Sequence, residues 1–349
     1  MSRSLPQLPG VLDARRVRAA AAAIAAVQEP SGAIPWFPGG HVDPWDHVEC
    51  AMALLVGGQP EAADRAYAWL FAAQRPDGSW PMATVAGRVT DPGTDTNMCA
   101  YVAVGAWHHW LVCRDAGFLA EAWPVVRRAL DLVVGHQLPF GGIDWAADER
   151  GVTFGAALVT GSSSIRHALV CGLSLAGLVA EPQRHWAVAL DRLHRALREA
   201  EDRFDPRPHH AMDWYYPVLA GVLRGPAGLE RIAARWHDFV VPGLGVRCVD
   251  HRPWVTGAET CELAMALATL GRHDDAVRLL ADMQHLQDPD GSFWTGYVFA
   301  DGARWPEERS TWTAAAVVLA ADTLSRATDG AEVFLGSGDR VARVTARPA

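Results

Sequence analysis

A short phrase recurs four times along the chain and restricts what it can fold into. It reads apolar-x3-Gln-x3-Gly-x-apolar, at Ile24…Gln28…Gly32…Ile34, Leu70…Gln74…Gly78…Trp80, Val133…Gln137…Gly141…Ile143 and Met283…Gln287…Gly291…Phe293. In every copy a proline stands two residues after the glutamine: Pro30, Pro76, Pro139 and Pro289. Proline cannot continue a helix, and glycine admits the tight turn that follows, so each copy reads as the end of one helix and the entry to the next. A unit of this kind, whose first three copies return at intervals of roughly 40 to 65 residues, indicates an array of helix–turn–helix repeats.

The copy from Leu70 to Trp80 is the most complete, with Gln74, Gly78 and an aromatic in place. It resembles the QW repeat of the squalene–hopene cyclase and protein prenyltransferase superfamily. In that superfamily the glutamine caps an outer helix and the aromatic stacks on the turn. The resemblance implies an all-α fold, an (α/α)6 barrel (toroid) of six inner and six outer helices. The repeat performs a structural task, and chemistry has to be argued from the site.

The chain divides to match. Residues 1–10 form a proline-containing lead, 11–326 a single toroid domain, and 327–349 a tail with little drive to fold. Val11–Gln28 reads as an outer helix. Asp43-Pro44 is an N-cap with proline at the first helical position, opening an inner helix that Gly57-Gly58 ends. Pro60–Gln74 returns outside. Asp95–Leu111 and Phe118–Gln137 form the next pair, followed by an inner helix from Ser162 and an outer one over Glu181–Phe204. His209 opens another inner helix, and Ala227–Phe239 follows outside. Thr256–Leu270 and Asp274–Gln287 make a further pair. Glu307–Ser325 is the last inner helix, with Val11–Gln28 as its mate, so six pairs close a ring.

Composition excludes several functions. The net charge is −9, with no basic stripe, which excludes a nucleic-acid partner. All basic side chains other than histidine are arginine, so a Schiff-base lysine is impossible. Six cysteines without a close CxxC pair do not form a disulfide framework. Four of them (Cys50, Cys99, Cys171, Cys261) lie in apolar helical stretches and read as buried free thiols. No apolar run reaches the roughly 18 residues that a membrane span needs, and the expectation is a cytoplasmic protein. Cys248, Asp250 and His251 lie close in sequence, but in an inter-helix loop, and no metal or other cofactor is expected.

In a ring of this type the glycine turns and the inner-helix N-termini gather at one end, around one cavity. The residues placed there are aromatic and acidic. Asp95, Asp46, Asp213 and Glu259 are the candidate catalytic acids. His41, Trp45, His47, Glu49, Asn97, Trp145, Trp214, Tyr216, Trp254, Glu308 and Trp312 are candidate substrate contacts. Acids at helix N-termini also serve as caps that the macrodipole favours by about 0.3–1 kcal/mol, and Asp43 is read as a cap.

Two chemistries fit. The segment Asp91-Pro-Gly-Thr-Asp95-Thr-Asn97 occupies the place where class II terpene cyclases carry an acidic motif. Thr94 departs from the DxDD core, and no DDxxD motif occurs. The superfamily resemblance implies an isoprenoid-handling isomerase or lyase in which a buried acid protonates an alkene or epoxide and aromatic faces hold the cation. The alternative is a carbohydrate-active (α/α)6 enzyme, a glycosidase, lyase or epimerase with paired carboxylates and flat aromatic platforms. The hydrogen-bonding groups among these residues (His41, His47, Asn97, Ser162, Ser163) favour the sugar. A non-catalytic binding toroid is the third reading. The partner is a small molecule, isoprenoid or sugar, and the sequence says nothing of oligomeric state.

Overall fold

The computed structural model describes residues 4–336. In chain order its helices are α1 (Ala14–Val27), α2 (Pro44–Val56), α3 (Pro60–Ala72), α4 (Thr96–Ala100), α5 (Val102–Cys113), α6 (Ala116–Gly135) and α7 (Val159–Leu178). They continue as α8 (Arg184–Glu199), α9 (Ala211–Leu219), α10 (Gly225–Phe239), α11 (Gly257–Thr269), α12 (His273–Asp282), α13 (Thr311–Ser325) and α14 (Glu332–Leu335). Packing follows the order α2–α5–α7–α9–α11–α13 and returns from α13 to α2, which closes an inner ring. Outside it, α3 packs on α2, α6 on α5, α8 on α7, α10 on α9, α12 on α11, and α1 on α13. The fold is an (α/α)6 barrel.

The pattern of burial follows from that position. Every residue of α2 is buried, because an inner helix meets protein on all sides. The outer helix α8 buries only Trp186, Ala189, Leu190, Leu193, Ala196 and Leu197, one face at three- and four-residue spacing.

The repeated glutamines and glycines hold the outer layer together. Gly32, Gly78, Gly141 and Gly291 all have positive φ, between +96° and +108°. A Cβ on Gly78 would lie 2.4 Å from the Arg128 carbonyl oxygen, and one on Gly141 would lie 2.6 Å from that of Arg192. Gln74 Nε2 donates to its own turn at Gly78 O (3.0 Å) and to Val125 O on the next outer helix (3.0 Å). Gln28 and Gln137 repeat this arrangement on Ala62 O and Ala189 O. Gln287 closes the ring by accepting from Arg16 Nε of α1 at 2.6 Å.

Short strands add to the helices. β1 (Ala83–Val85) and β2 (Arg88–Asp91) form a hairpin, and β3 (Thr94–Asp95) pairs antiparallel with β4 (Ala146–Ala147), Asp95 opposite Ala146. β5 (Val240–Val241), β6 (Gly245–Arg247), β7 (Trp254–Thr256), β8 (Gly296–Val298) and β9 (Ala303–Arg304) make an antiparallel sheet in that order. Strands of two to four residues carry too little alternation to be visible in the sequence.

The tail differs from expectation over residues 327–336. A 3-10 turn at Asp329–Ala331 leads into α14, and Val333 and Phe334 are buried against the ends of inner helices. The remainder of the tail, 337–349, lies outside the described residues. No described helix is long and apolar enough to cross a membrane.

Candidate active site

The starts of the inner helices surround a cavity of about 330 Å³. α2 contributes Asp43, Trp45 and Asp46; the β3–α4 junction contributes Asp95, Thr96, Asn97 and Met98; and α13 contributes Trp312. Leu158, Thr160, Gly161, Ser162 and Ile165 line it from the start of α7, and Met212 and Tyr216 from α9. Trp36, His41, Ile143 and Trp145 reach in from the loops.

Three carboxylates therefore face one space, and the local structure sets their roles. Asp43 caps α2, its Oδ1 accepting from the backbone N of Trp45 (3.0 Å) and of Asp46 (2.9 Å). Asp46 lies one turn further on. Burial first, then the charge of Asp43 and its hydrogen bond, and then Glu49 and Glu262, push its pKa well above the usual carboxylate range. Asp46 is thus an acid that keeps its proton. Asp95 caps α4 by accepting from Met98 N at 3.0 Å. Burial raises it to about 6, against the opposing backbone hydrogen bonds of Met98 and Asn97.

Beneath this layer the barrel axis holds further acids. Tyr101 Oη donates to Glu49 Oε1 at 2.8 Å, and Tyr215 Oη donates to Glu262 Oε2. The second oxygen of each glutamate is buried without a hydrogen-bond partner. Burial raises Glu49 to about 7 and Glu262 well above its usual range. Glu262 falls among the acids that the sequence places at the mouth of the barrel, but it is not among the candidate catalytic or substrate-binding residues. Its place three residues after Glu259, on the buried face of an inner helix, is the signal that favours it as a candidate.

Aromatic rings frame the space. Trp36 and Trp312 lie 6.0 Å apart, Trp45 and Trp312 5.8 Å, and Trp45 packs on Tyr101 at 5.1 Å. Trp145 stacks on Phe154 at 5.1 Å, and Phe154 is 58% exposed, so an aromatic ledge runs out from the cavity. His41 packs edge-on against Trp36 and stands 3.9 Å from Asp43.

Among the sequence candidates, Asp95, Asp46, His41, Trp45, Asn97, Trp145, Tyr216 and Trp312 meet at the cavity. The others are held elsewhere. His47 is fully buried, with Nδ1 accepting from Ile34 N and Nε2 against Ala66 O at 2.9 Å; burial lowers its pKa to about 4, which keeps it neutral. Glu49 sits under the Tyr101 hydroxyl. Glu259 accepts from Thr256 Oγ1 at the start of α11. Asp213 binds Thr160, and Trp214 stacks on Phe239 while donating to Arg231 O; both line a second hollow of about 310 Å³ behind the α7–α9 wall. Trp254 donates to Trp305 O, and Glu308 accepts from Thr295 Oγ1. Helix-start spacing put all of these at the same end of the barrel, but it could not say which side chains turn toward the axis.

His209, Asp250 and His251 form the one cluster among the described residues with three potential ligand atoms within 4.8 Å of one another. It lies outside the cavity, and Asp250 there accepts from Arg235 at 2.6 Å. Cys248 is turned instead toward Glu259. All six cysteines are free.

No protein-family model matches the chain. A curated relative matches along nearly its whole length, 54% identical over 333 residues, covering 95% of this chain and 92% of the relative. That relative is the MMP endo-(1,4)-3-O-methyl-alpha-D-mannosidase of Mycolicibacterium hassiacum. The chain belongs to the family of this mannosidase. Solved structures agree on the fold. A glycosidase in complex with glucose superimposes with a TM-score of 0.72 at 17% identity, covering 89% of this chain and 96% of that one. A D-mannose isomerase gives 0.71 at 11% identity, covering 90% and 97%.

Membership of the mannosidase family overturns the resemblance to terpene cyclases and prenyltransferases, and with it the isoprenoid substrate and the isomerase or lyase chemistry. The physical reason lies in the repeat itself. Its glutamine binds two backbone carbonyls, and its glycine lets one turn approach a neighbouring helix. Any barrel of paired helices needs those two services, so the phrase marks the architecture and not the reaction.

Proposed function

We propose that the protein is an endo-acting glycosidase that hydrolyses 1,4 linkages between 3-O-methyl-α-D-mannose units. The reading rests on the 54% identity to the mannosidase along nearly the whole chain. The cavity supplies what such a reaction needs: carboxyl groups in two protonation states, and aromatic faces for sugar rings.

In this reading Asp46 is the general acid. It reaches the cavity protonated and gives its proton to the glycosidic oxygen as the C–O bond breaks. Asp95, with a pKa near 6, is ionised at neutral pH and serves as the second carboxylate, removing a proton from the attacking water. The hydrolysis balances: one water enters, one glycosidic bond breaks, and the two new hydroxyl ends carry the protons. Glu262 is the competing second carboxylate, because it couples electrostatically to Asp46 and keeps a buried, unpartnered oxygen.

The test is cleavage of a 1,4-linked 3-O-methyl-α-mannoside oligomer, with products sized to show internal cutting. No cleavage by the wild type would refute the function. Asp46→Asn keeps the side-chain shape and Asp95→Asn keeps the capping oxygen as well, and each is expected to stay folded with turnover down by a factor on the order of 100 to 10,000. Normal turnover by Asp95→Asn together with loss in Glu262→Gln moves the second role to Glu262.

A further inference from the structure

The two sides of the cavity are chemically unlike. On the α2–α13 side stand Asp43, Asp46, His41 and the rings of Trp36, Trp45 and Trp312, while Trp145 stands beside Ile143 opposite them. On the facing side, Met98, Ile143, Leu158, Ile165 and Met212 present hydrocarbon and thioether surface. Four hydroxyls also belong to this side, and each has a protein partner, that of Tyr216 being Tyr101. Thr160 Oγ1 donates to Asp213, Thr96 Oγ1 donates to Asp144 O at 2.8 Å, and Ser162 Oγ accepts from Ile143 N at 3.4 Å. Asn97 Oδ1 is buried and unpartnered, and with the Asp95 carboxylate at the same β3–α4 junction it places the acceptors at one edge of the wall.

An unmodified hexose carries hydroxyls around its whole ring. Pressed against this wall, a hydroxyl loses its water without gaining a partner, an uncompensated desolvation. A methyl ether at the same position removes the donor and adds a methyl group that prefers the wall.

Resting on the glycosidase reading above, we infer that the aliphatic wall of Met98, Ile143, Leu158, Ile165 and Met212 is the specificity determinant that selects O-methylated over unmethylated mannosides. Asp213 contributes from outside the cavity as a positioning residue, since it holds the Thr160 hydroxyl away from the sugar.

The experiment compares kcat/KM on paired 1,4-linked α-mannosides, 3-O-methylated and unmethylated, for wild type, Met212→Gln, Leu158→Asn and Met212→Leu. The wild type should prefer the methylated substrate by about 10-fold or more. Met212→Gln or Leu158→Asn should reduce that ratio about 10-fold, and Met212→Leu should keep it. Equal wild-type rates on the two substrates, or a ratio unmoved in both polar variants, would overturn the inference. Calorimetric binding of methyl 3-O-methyl-α-D-mannoside against methyl α-D-mannoside separates this result from failure of the catalytic reading. If the wild type cleaves neither oligomer, a preference of about 10-fold for the methylated monosaccharide still supports the wall, and equal affinities refute it.

Discussion

At the scale of single residues, the site depends on what burial does to carboxyl groups. Asp46 and Asp95 occupy similar places at helix starts, yet burial and neighbouring carboxylates hold Asp46 well above the usual carboxylate range while Asp95 loses its proton near pH 6. If Asp95 must be ionised and Asp46 protonated, kcat/KM should rise as pH passes upward through about 6 and fall on the alkaline side as Asp46 ionises. An acidic limb centred near 4, where an ordinary carboxylate titrates, would dismiss Asp95 from the role. Glu49 yields a prediction about stability. Its folded-state pKa of about 7 lies above its ordinary value of 4.5, so the folded form binds the proton more tightly than the unfolded chain does. Its stabilisation is complete below about pH 4.5 and is lost as pH rises toward 7. Glu49→Gln should flatten the decline of Tm with pH in that window, while other buried acids leave part of it. Identical slopes in the two proteins would show that Glu49 does not titrate there.

At the scale of elements, the glycine turn is the unit that assembles the barrel, and its cost can be measured. Gly78→Ala forces a side chain into a left-handed conformation and against the Arg128 carbonyl, so a loss of about 2–4 kcal/mol is expected. Gly87 makes a control. Its φ is also positive, at +74°, but no atom stands within 4 Å of where a Cβ would go, so alanine there should cost about 1 kcal/mol. Denaturant midpoints decide between them, and equal losses would mean that close packing at Gly78 adds nothing. The same turns explain what could be read from sequence. Gln, Pro and Gly at fixed offsets are local signals, so helix order and the six-fold count were legible. The cavity was legible in part, because Asp46, Asp95 and Trp312 stand at predictable helix starts. Met98, Leu158 and Met212 look like any apolar helix residue, and only the closure of the ring brings them to one wall. Glu308 and Trp254 show the converse case. Both are expected at the mouth of the barrel, and their side chains are bonded to Thr295 and Trp305 there.

At the scale of the whole molecule, the joint of the ring lies between its two ends in sequence. Arg16 donates to both Gln284 and Gln287 at 2.6 Å, the Gly291 turn presses on Ala19, and Thr311 N donates to Trp36 O at 2.8 Å. α1 buries Val17, Ala20, Ala21 and Ile24, and much of what covers them is α13. A ribosome makes these partners in order, α1 first and α13 about 300 residues later. At 5–20 residues per second, α1 waits on the order of tens of seconds with its apolar face uncovered. A helix made well before α13 thus completes its packing only when α13 arrives, and the nascent chain has to be kept from aggregating until the ring can close.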